Sequence, residues 1–238
     1  MKRILVAPLD WGLGHATRCI PIVRELLSQG CEVFVAGSGD SLSLLKQEFS
    51  NLTFFQLTGY DPIYATSNNM VRKMALQLPK FIRTIKKEHR EVGELIDKFK
   101  IDIIISDNRY GCWSRKVPSV FVTHQVNILM PEGYRWLEKA VNATQKWLMG
   151  KFTSWWVPDY EDDERSLAGK LSRSDKRHMQ RITYVGPLSR FMKSADQAIQ
   201  YDVACVLSGP EPQRSIFENK ITNIPPVCWC NTCRLFGH

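Results

Sequence analysis

The chain has 238 residues and a net charge of +8, with 44% hydrophobic and 24% charged residues. This composition is typical of a globular protein with one large or two small domains, and it excludes a chain that is disordered throughout. No apolar run approaches the roughly 20 residues of a membrane-spanning helix, and the basic start leads into an apolar stretch too short for a signal peptide, so we expect a cytoplasmic protein.

Apolar segments with strand character alternate with helical segments from the first residues onward. Strands are predicted at residues 4–7, 32–36, 52–57, 101–106, 119–123 and 154–157, and helices at residues 17–29, 41–48 and 133–149. Alternation of this kind is typical of βαβ units. The sequence therefore predicts an α/β fold with a doubly wound, parallel sheet of the Rossmann-like type.

Residues 70–100 hold much of the positive charge, with nine Lys or Arg against four Asp or Glu. An apolar stripe at near-helical spacing predicts a helix here, and Pro79 is expected to break or kink it. The stripe consists of Met70, Met74, Phe81, Ile82 and Ile85. A solvated helical face explains the charge, and the alternative is a phosphate-bearing substrate or peripheral contact with an anionic membrane. The aromatic residues that would join such a membrane contact are Tyr134, Trp136, Trp147, Trp155 and Trp156. No recognised nucleic-acid-binding motif accompanies the charge, so no nucleic acid partner is expected.

The first strand runs into a loop with two glycines and then into a helix start. Gly12 and Gly14 permit backbone conformations and close approaches that other residues do not, and the helix directs free N–H groups outward. A dinucleotide-binding fingerprint would need a third glycine where Thr17 stands and an acidic residue closing the second strand. A purely structural turn would need neither His15 nor Arg18. We therefore interpret this loop as a ligand site.

Polar side chains follow the first, fourth and fifth predicted strands. Because the carboxyl ends of parallel strands meet at one edge of a sheet, we expect these residues to line a single cleft. Their imidazole, carboxylate and amide groups suit the binding of hydroxyls and the transfer of protons. The residues expected in the cleft are Gly12, Gly14, His15, Asp107, Asn108, His124 and Gln125.

Four motifs, in this order along the chain, resemble those of a known enzyme family. They are Gly12-Leu13-Gly14-His15, Ser106-Asp107-Asn108, Thr123-His124-Gln125 and Tyr184-Val185-Gly186-Pro187-Leu188-Ser189. Together they resemble the acceptor domain of GT-B glycosyltransferases, and they are most similar to the branch with the lipid-linked N-acetylglucosaminyltransferase of peptidoglycan synthesis and the diacylglycerol glycosyltransferases. The resemblance covers about residues 1–221. It implies two Rossmann-like domains that face a cleft, of which this chain holds the N-terminal half and a fragment of the second.

The resemblance also implies the domain organisation. Residues 1–188 are the expected acceptor-binding domain, residues 189–200 the connection, and residues 201–221 the start of a truncated nucleotide-sugar-binding domain. That start consists of a strand at residues 201–207, a loop and the opening of a helix at residues 215–221. In the family this loop approaches the diphosphate of the donor, so Ser208 and Gly209 are the expected donor-binding residues, although Pro210 and Pro212 remove two N–H donors.

Residues 222–238 abandon the alternation of strands and helices. Four soft metal ligands stand there, but their spacing departs from the paired Cys-x2-4-Cys pattern of structural zinc sites, so no metal site is predicted. These ligands are Cys228, Cys230, Cys233 and His238. The remaining cysteines are mostly single residues in apolar surroundings and predict no disulfide framework. We interpret the tail as a frayed terminus or the product of a reading-frame change.

Glycosyl transfer needs a base for the acceptor hydroxyl and compensation of charge on the departing diphosphate. His15 is predicted to be the base or to anchor the acceptor, and Asp107 to orient His15 or to be the base itself. The residues predicted to bind the acceptor are Gly12, Gly14, Arg18, Asn108, Arg109, His124 and Gln125.

The resemblance implies a nucleotide-sugar donor, UDP-linked, and a lipid or saccharide hydroxyl as the acceptor, with no metal or other cofactor. The chain by itself is expected to transfer sugar poorly, because catalysis depends on holding two reactants in line. A sugar-nucleotide epimerase of the same fold and a non-catalytic binding module stay open as alternatives.

Overall fold

Seven strands form one sheet in the computed structural model, which describes residues 1–63, 70–174, 178–191, 205–207 and 213–223. The strands are β1 (Arg3–Pro8), β2 (Glu32–Gly37), β3 (Thr53–Gln56), β4 (Ile103–Asp107), β5 (Ser119–Val122), β6 (Ser154–Val157) and β7 (Ile182–Tyr184). Their order across the sheet is β3-β2-β1-β4-β5-β6-β7, and every neighbouring pair is parallel. The predicted α/β fold with a parallel sheet is confirmed.

Five α-helices lie in these described ranges. They are α1 (Leu13–Ser28), α2 (Gly39–Glu48), α3 (Met70–Phe99), α4 (Glu138–Met149) and α5 (Gln213–Thr222), and short 3-10 helices lie at Glu132–Leu137, Gly169–Leu171 and Met179–Arg181. None of the helices in the described ranges is both long and apolar enough to cross a membrane. The cytoplasmic location stays a prediction.

Alternate residues of the central strands enter two hydrophobic cores on opposite faces of the sheet. On one face Ile4 and Val6 pack against α1 and α2, and on the other face Leu5 and Ala7 pack against α3. A third core surrounds Trp155, which is fully buried beside α4. The sheet is therefore covered on both sides, as the doubly wound prediction requires.

The strand order reverses between β1 and β4, which lie side by side at the centre of the sheet. The chain first builds outward through β2 and β3 and then returns to place β4 on the other side of β1. In this pair Pro8 lies opposite Asp107, so the loops that follow both strands leave the sheet at the same point. Ligands of parallel α/β sheets bind at such a reversal.

Some predicted boundaries were wrong. Helix α1 begins at Leu13 rather than at residue 17, because Gly12 already lies outside the helix and the chain turns directly into it. Pro79 does not break α3, which continues from Met70 to Phe99. Proline leaves the carbonyl of Ala75 without its N–H partner, but both residues are exposed, so water can bind that carbonyl. Strand β7 was not predicted.

The contacts divide the chain into two units, Met1–Tyr64 with Asn69–Arg190, and Ala65–Asn68 with Phe191–His238. In the second unit the predicted helix at residues 215–221 lies inside α5. The described part of the predicted strand at 201–207, residues 205–207, forms no strand. Ser208, Gly209 and the cysteine-rich tail lie outside the described residues, and the proposed domain boundaries stay predictions.

Candidate functional site

The loop after β1 leaves an open space in front of α1. Gly12 has φ 102°, which favours glycine, and it precedes a helix start that no side chain caps. A Cβ atom added to Gly12 or to Gly14 would meet no atom within 4 Å. The protein itself therefore does not need a glycine at position 14 for space, and the place beside the uncapped start of α1 is open.

Asp107 lies at the end of β4 and is fully buried. Its Oδ2 atom is 3.0 Å from His15 Nδ1, and its Oδ1 atom accepts a hydrogen bond from Arg18 Nε at 2.8 Å and a second from Arg18 Nη2. Burial alone would raise the pKa of this carboxyl, but Arg18 and His15 outweigh burial and hold it below its usual range. Asp107 is therefore a carboxylate at neutral pH.

The guanidinium of Arg18 joins three side chains of the site. Besides its bonds to Asp107, its Nη1 atom is 2.9 Å from His124 Nδ1, and its Nη2 atom is 2.7 Å from His15 Nδ1. Arg18 and His15 are three residues apart on α1, which puts them on the same helix face. Both side chains are mostly buried. The predicted meeting of His15, Asp107 and His124 is thus present, and Arg18 lies at its centre rather than in solvent.

The loop after β5 holds His124 in this position. The Gln125 N–H donates to Thr123 Oγ1 at 3.0 Å, and the Gln125 carbonyl accepts from Nε2 of Gln145 on α4 at 2.5 Å. Burial, Arg18 and His15 lower the pKa of His124, in that order of importance. His124 is therefore a neutral imidazole at pH 7.

Asn108 and Gln125 border the same group of residues. Asn108 has φ 55°, a conformation that asparagine tolerates better than most residues, and its N–H donates to the carbonyl of Val122 at 3.2 Å. In the described part of the chain, neither amide side chain makes a hydrogen bond. Both amides can therefore bind a ligand, and their role as acceptor contacts stays a prediction.

Arg109 does not lie in the cleft, contrary to the prediction that it binds the acceptor. Its side chain is fully buried and donates to Glu88 Oε1 at 2.7 Å, to Ser38 Oγ at 2.5 Å, and to the carbonyls of Pro8 and Thr58 at 2.7 and 3.2 Å. Glu88 outweighs burial and raises the pKa of Arg109. This arginine pairs with a core carboxylate and holds β1, β4 and α3 together.

Glu88 was missed by the sequence analysis. It is fully buried on α3, and its Oε2 atom accepts from the Tyr60 hydroxyl and from the Gly111 N–H, both at 2.8 Å. The signal was present, because Glu88 continues the stripe of Phe81 and Ile85 at helical spacing. An acidic residue at a core position requires a buried partner of opposite charge.

A second unpredicted group fixes the loop after β1. Asp10 Oδ2 accepts from Ser38 Oγ at 2.9 Å and from the Tyr60 N–H at 3.0 Å. The ring of Trp11 lies 5.6 Å from that of Phe81 and 6.3 Å from that of Tyr60, measured between centroids. The start of the glycine loop is therefore tied to β2 and to α3.

The loop after β6 folds around Asp159, which is fully buried. Its carboxylate accepts from the hydroxyls of Ser166 and Ser172 and from the N–H groups of Tyr160 and Leu167, at 2.6 to 2.8 Å. These donors outweigh burial and hold the pKa of Asp159 well below its usual range. Asp159 is a structural residue that shapes the edge of the sheet beside His124.

Metal ligands were searched for across the described ranges. No group of three or more His, Cys, Asp or Glu residues in those ranges is placed to hold a metal ion. Within the site, the imidazole of His15 is in direct contact with the carboxylate of Asp107. The arrangement can take a proton at one imidazole and can hydrogen-bond hydroxyl groups.

Comparison with known proteins gives a family and a fold. The profile of glycosyl transferase family 1 matches residues 2–129. An uncharacterized glycosyltransferase of Methanosarcina mazei is 31% identical over 140 residues, which cover 53% of this chain and 34% of the relative. The match to the curated relatives thus spans about a third of their length.

Two solved structures are similar at low sequence identity. Apo UGT2 of Phytolacca americana has a TM-score of 0.50 and 13% identity, covering 82% of this chain and 53% of UGT2. MurG of Acinetobacter baumannii has a TM-score of 0.47 and 11% identity, covering 84% of this chain and 48% of MurG. At such identities the likeness concerns the fold alone.

Proposed function

This chain belongs to glycosyl transferase family 1, and on that premise we propose that it carries the acceptor site and the base of a glycosyltransferase. The reaction moves a sugar from a nucleotide-sugar, UDP-linked in our proposal, to a hydroxyl of a lipid or saccharide. The observation that carries the proposal is the 3.0 Å contact between His15 Nδ1 and the buried carboxylate of Asp107, beside the open start of α1.

The contact of His15 with Asp107 suits proton abstraction. When Nδ1–H of His15 donates to Asp107, the Nε2 atom carries the lone pair and can take the proton of the acceptor hydroxyl. The hydroxyl oxygen then bonds to the anomeric carbon of the donor, and the bond from that carbon to the diphosphate oxygen breaks. The nucleoside diphosphate leaves with the bonding electrons, and Asp107 stabilises the imidazolium that has formed.

The other cleft residues are proposed to bind the acceptor. The amide side chains of Asn108 and Gln125 can bind hydroxyls, and His124 borders the same space. Gly14 permits close approach of the acceptor to the start of α1, since no protein atom occupies the place of its missing Cβ. The proposal includes no metal and no further cofactor, as the resemblance implies.

The test compares a glycine at the site with a helical glycine outside it. Gly14 lies in α1 and Gly93 in α3, and a Cβ atom on either would meet no atom within 4 Å. Neither glycine has a positive φ, so alanine fits both positions without backbone strain and neither variant should lose stability.

Binding of short-chain diacylglycerol and of N-acetylglucosamine-terminated saccharides to the full chain is measured by calorimetry. We expect Gly14→Ala to weaken binding at least tenfold and Gly93→Ala to leave it unchanged. Equal binding by both variants, or no binding of either acceptor class, would contradict the proposal.

Turnover by the chain alone stays a prediction. We expect little transfer, because orienting two reactants in line accounts for about 7–11 kcal/mol of the barrier. Release of UDP from a UDP-sugar that His15→Ala abolishes would show that this chain completes a working site.

A lipid acceptor would bring α3 close to a membrane. Leu78, Ile82, Lys86 and Arg90 follow one another at four-residue spacing, and all four are exposed. Each basic residue near an anionic surface contributes about 1 kcal/mol to binding. The row thus combines an apolar part with a cationic part, which suits peripheral contact with an anionic leaflet.

The tryptophans considered for the same contact separate into two groups. Trp155 is fully buried and Trp156 packs against the core of α1 and α2, so these two cannot reach a membrane. Trp136 and Trp147 are exposed.

Sedimentation with phosphatidylserine-containing vesicles tests the contact. The double variant Lys86→Glu/Arg90→Glu should lose binding, whereas Lys46→Glu on α2, on the opposite face of the sheet, should retain it. Equal sedimentation with phosphatidylserine-containing and with neutral vesicles would contradict contact with an anionic membrane.

A further inference from the structure

The guanidinium of Arg18 contacts the Nδ1 atoms of both histidines, and arginine can only donate hydrogen bonds. We infer that Arg18 fixes the tautomer of His124 and that Asp107 fixes the opposite tautomer of His15, so that the site presents a proton acceptor at His15 Nε2 and a hydrogen-bond donor at His124 Nε2. The two tautomers are a property of the chain without ligand, and only the identity of the bound ligand rests on the proposed function.

The tautomer of His124 follows from a single contact. Its Nδ1 atom lies 2.9 Å from Arg18 Nη1, and in the described part of the chain this atom has no other hydrogen-bond partner. Because the guanidinium has no lone pair, Nδ1 must carry the lone pair of the ring. The neutral imidazole then holds its proton on Nε2.

The ring of His124 stays neutral because of the groups around it. Burial is the largest cause, and the positive charge of Arg18, which faces the ring from α1 together with His15, adds to it. Asp107 from β4 and Asp159 from the loop after β6 favour a positive charge on the ring, but burial and Arg18 prevail. The donor at Nε2 is therefore a neutral N–H group.

His15 has two competing contacts at Nδ1. Asp107 Oδ2 at 3.0 Å requires a proton there, whereas Arg18 Nη2 at 2.7 Å requires a lone pair. Arg18 Nη2 already donates to Asp107 Oδ1. Among the residues that the structure describes, the Oδ2 atom has, apart from His15, only the weak thiol donor of Cys19, at 3.8 Å. A lone pair on Nδ1 would leave a buried carboxylate oxygen almost without donors. The proton therefore lies on Nδ1 of His15, and Nε2 carries the lone pair.

The two outer nitrogens consequently have opposite polarity. In the described residues neither Nε2 atom has a hydrogen-bond partner, so both are available to a ligand. A ligand with a hydroxyl and a second oxygen, as in a vicinal diol or a glycerol ester, can donate to His15 and accept from His124. Arg18 is a positioning residue in this arrangement, because it acts through the imidazole of His124.

Nitrogen-15 NMR of the imidazoles reads the tautomers directly and needs no substrate. The uniformly labelled full chain contains five histidines, and His15→Gln and His124→Gln assign the two signals of interest. At pH 7.5 we expect a protonated Nδ1 and a bare Nε2 in His15, with the reverse in His124. The same tautomer in both rings of the unsubstituted chain would overturn the inference, whatever the variants do.

Variants of Arg18 test the cause. Arg18→Leu should let His124 approach the mixture of tautomers that imidazole adopts in water and should shift its titration midpoint upward. Arg18→Lys, which keeps the positive charge and an N–H donor group, should recover most of the original spectrum. Arg24→Leu is the matched control, since Arg24 is an exposed residue of the same helix paired with Glu48. An unchanged His124 spectrum in a folded Arg18→Leu chain would refute the role of Arg18.

Acceptor binding then tests the donor at His124 separately. His124→Phe should weaken binding about tenfold, and His124→Gln, which retains an N–H donor, should restore part of it. Opposite tautomers without any acceptor binding would support the inferred tautomers but contradict the proposed function. Equal binding by both variants would refute the donor role of His124.

Discussion

Removal of Arg109 tests whether this arginine belongs to the core or to the acceptor site. In the structure its fully buried guanidinium forms an ion pair with Glu88 and donates to Ser38, Pro8 and Thr58. Arg109→Met fills similar volume but leaves the carboxylate of Glu88 buried without its cation. Breaking a buried ion pair in this way costs about 3–5 kcal/mol, so we expect a loss of unfolding free energy in that range.

Urea unfolding followed by both tryptophan fluorescence and far-UV circular dichroism measures the loss. Arg165→Met is the matched control, because Arg165 is exposed and pairs with Asp162 on the surface. It should change stability by no more than about 0.5 kcal/mol. If Arg109→Met does not fold, the unfolding free energy of Arg109→Lys is measured instead. This variant keeps the positive charge and loses only the several hydrogen bonds of the guanidinium.

A double variant separates the ion pair from the rest of the packing. Arg109→Met/Glu88→Met removes both charges, so it should be less destabilised than the sum of the two single variants. A loss below about 1 kcal/mol for Arg109→Met, combined with weaker acceptor binding, would refute the core assignment and return Arg109 to the site.

Three further outcomes follow from the described contacts. Gly111→Ala should be strongly destabilised, because its Cβ would lie 2.5 Å from the carbonyl oxygen of Ile85, whereas Gly133→Ala meets no atom and should melt like the parent chain. Asp159→Asn should lose about 1–3 kcal/mol and should speed hydrogen exchange at the loop amides that Asp159 binds, and unchanged exchange would contradict this. The pKa of His124 is lowered by folding, so the unfolded chain takes up the proton first as the pH falls below about 6.5. Stability should therefore decrease from pH 7 to pH 5, and His124→Gln should reduce that dependence in urea midpoints.

The sheet could be predicted because its strands are buried on both faces and appear as short apolar runs. Strand β7 could not, since Ile182–Tyr184 has only three residues and is a strand through its pairing with β6. The length of α3 was also hidden, because the effect of Pro79 depends on exposure, which the sequence does not state. Helix α3 thus continues through a proline because both Pro79 and Ala75 are exposed to water.

The cleft could be predicted in part because parallel strands end at one edge. The meeting of His15 with Asp107 follows from that rule, and the position of Arg18 follows from helical spacing. Arg109 was misassigned because its position after a strand does not show that a buried carboxylate pairs with it. Finding Glu88 as that partner requires knowing which face of α3 meets the sheet.

The register between β1 and β4 fixes the distance between two parts of the candidate site. Asp107 is opposite Pro8 in the two central strands, so its distance from the start of α1 is set by the spacing of the sheet. Gln125, by contrast, stands on the loop after β5, whose length the spacing of the sheet does not set. A change in the length of the loop after β5 would therefore move Gln125 without changing the distance between Asp107 and the start of α1.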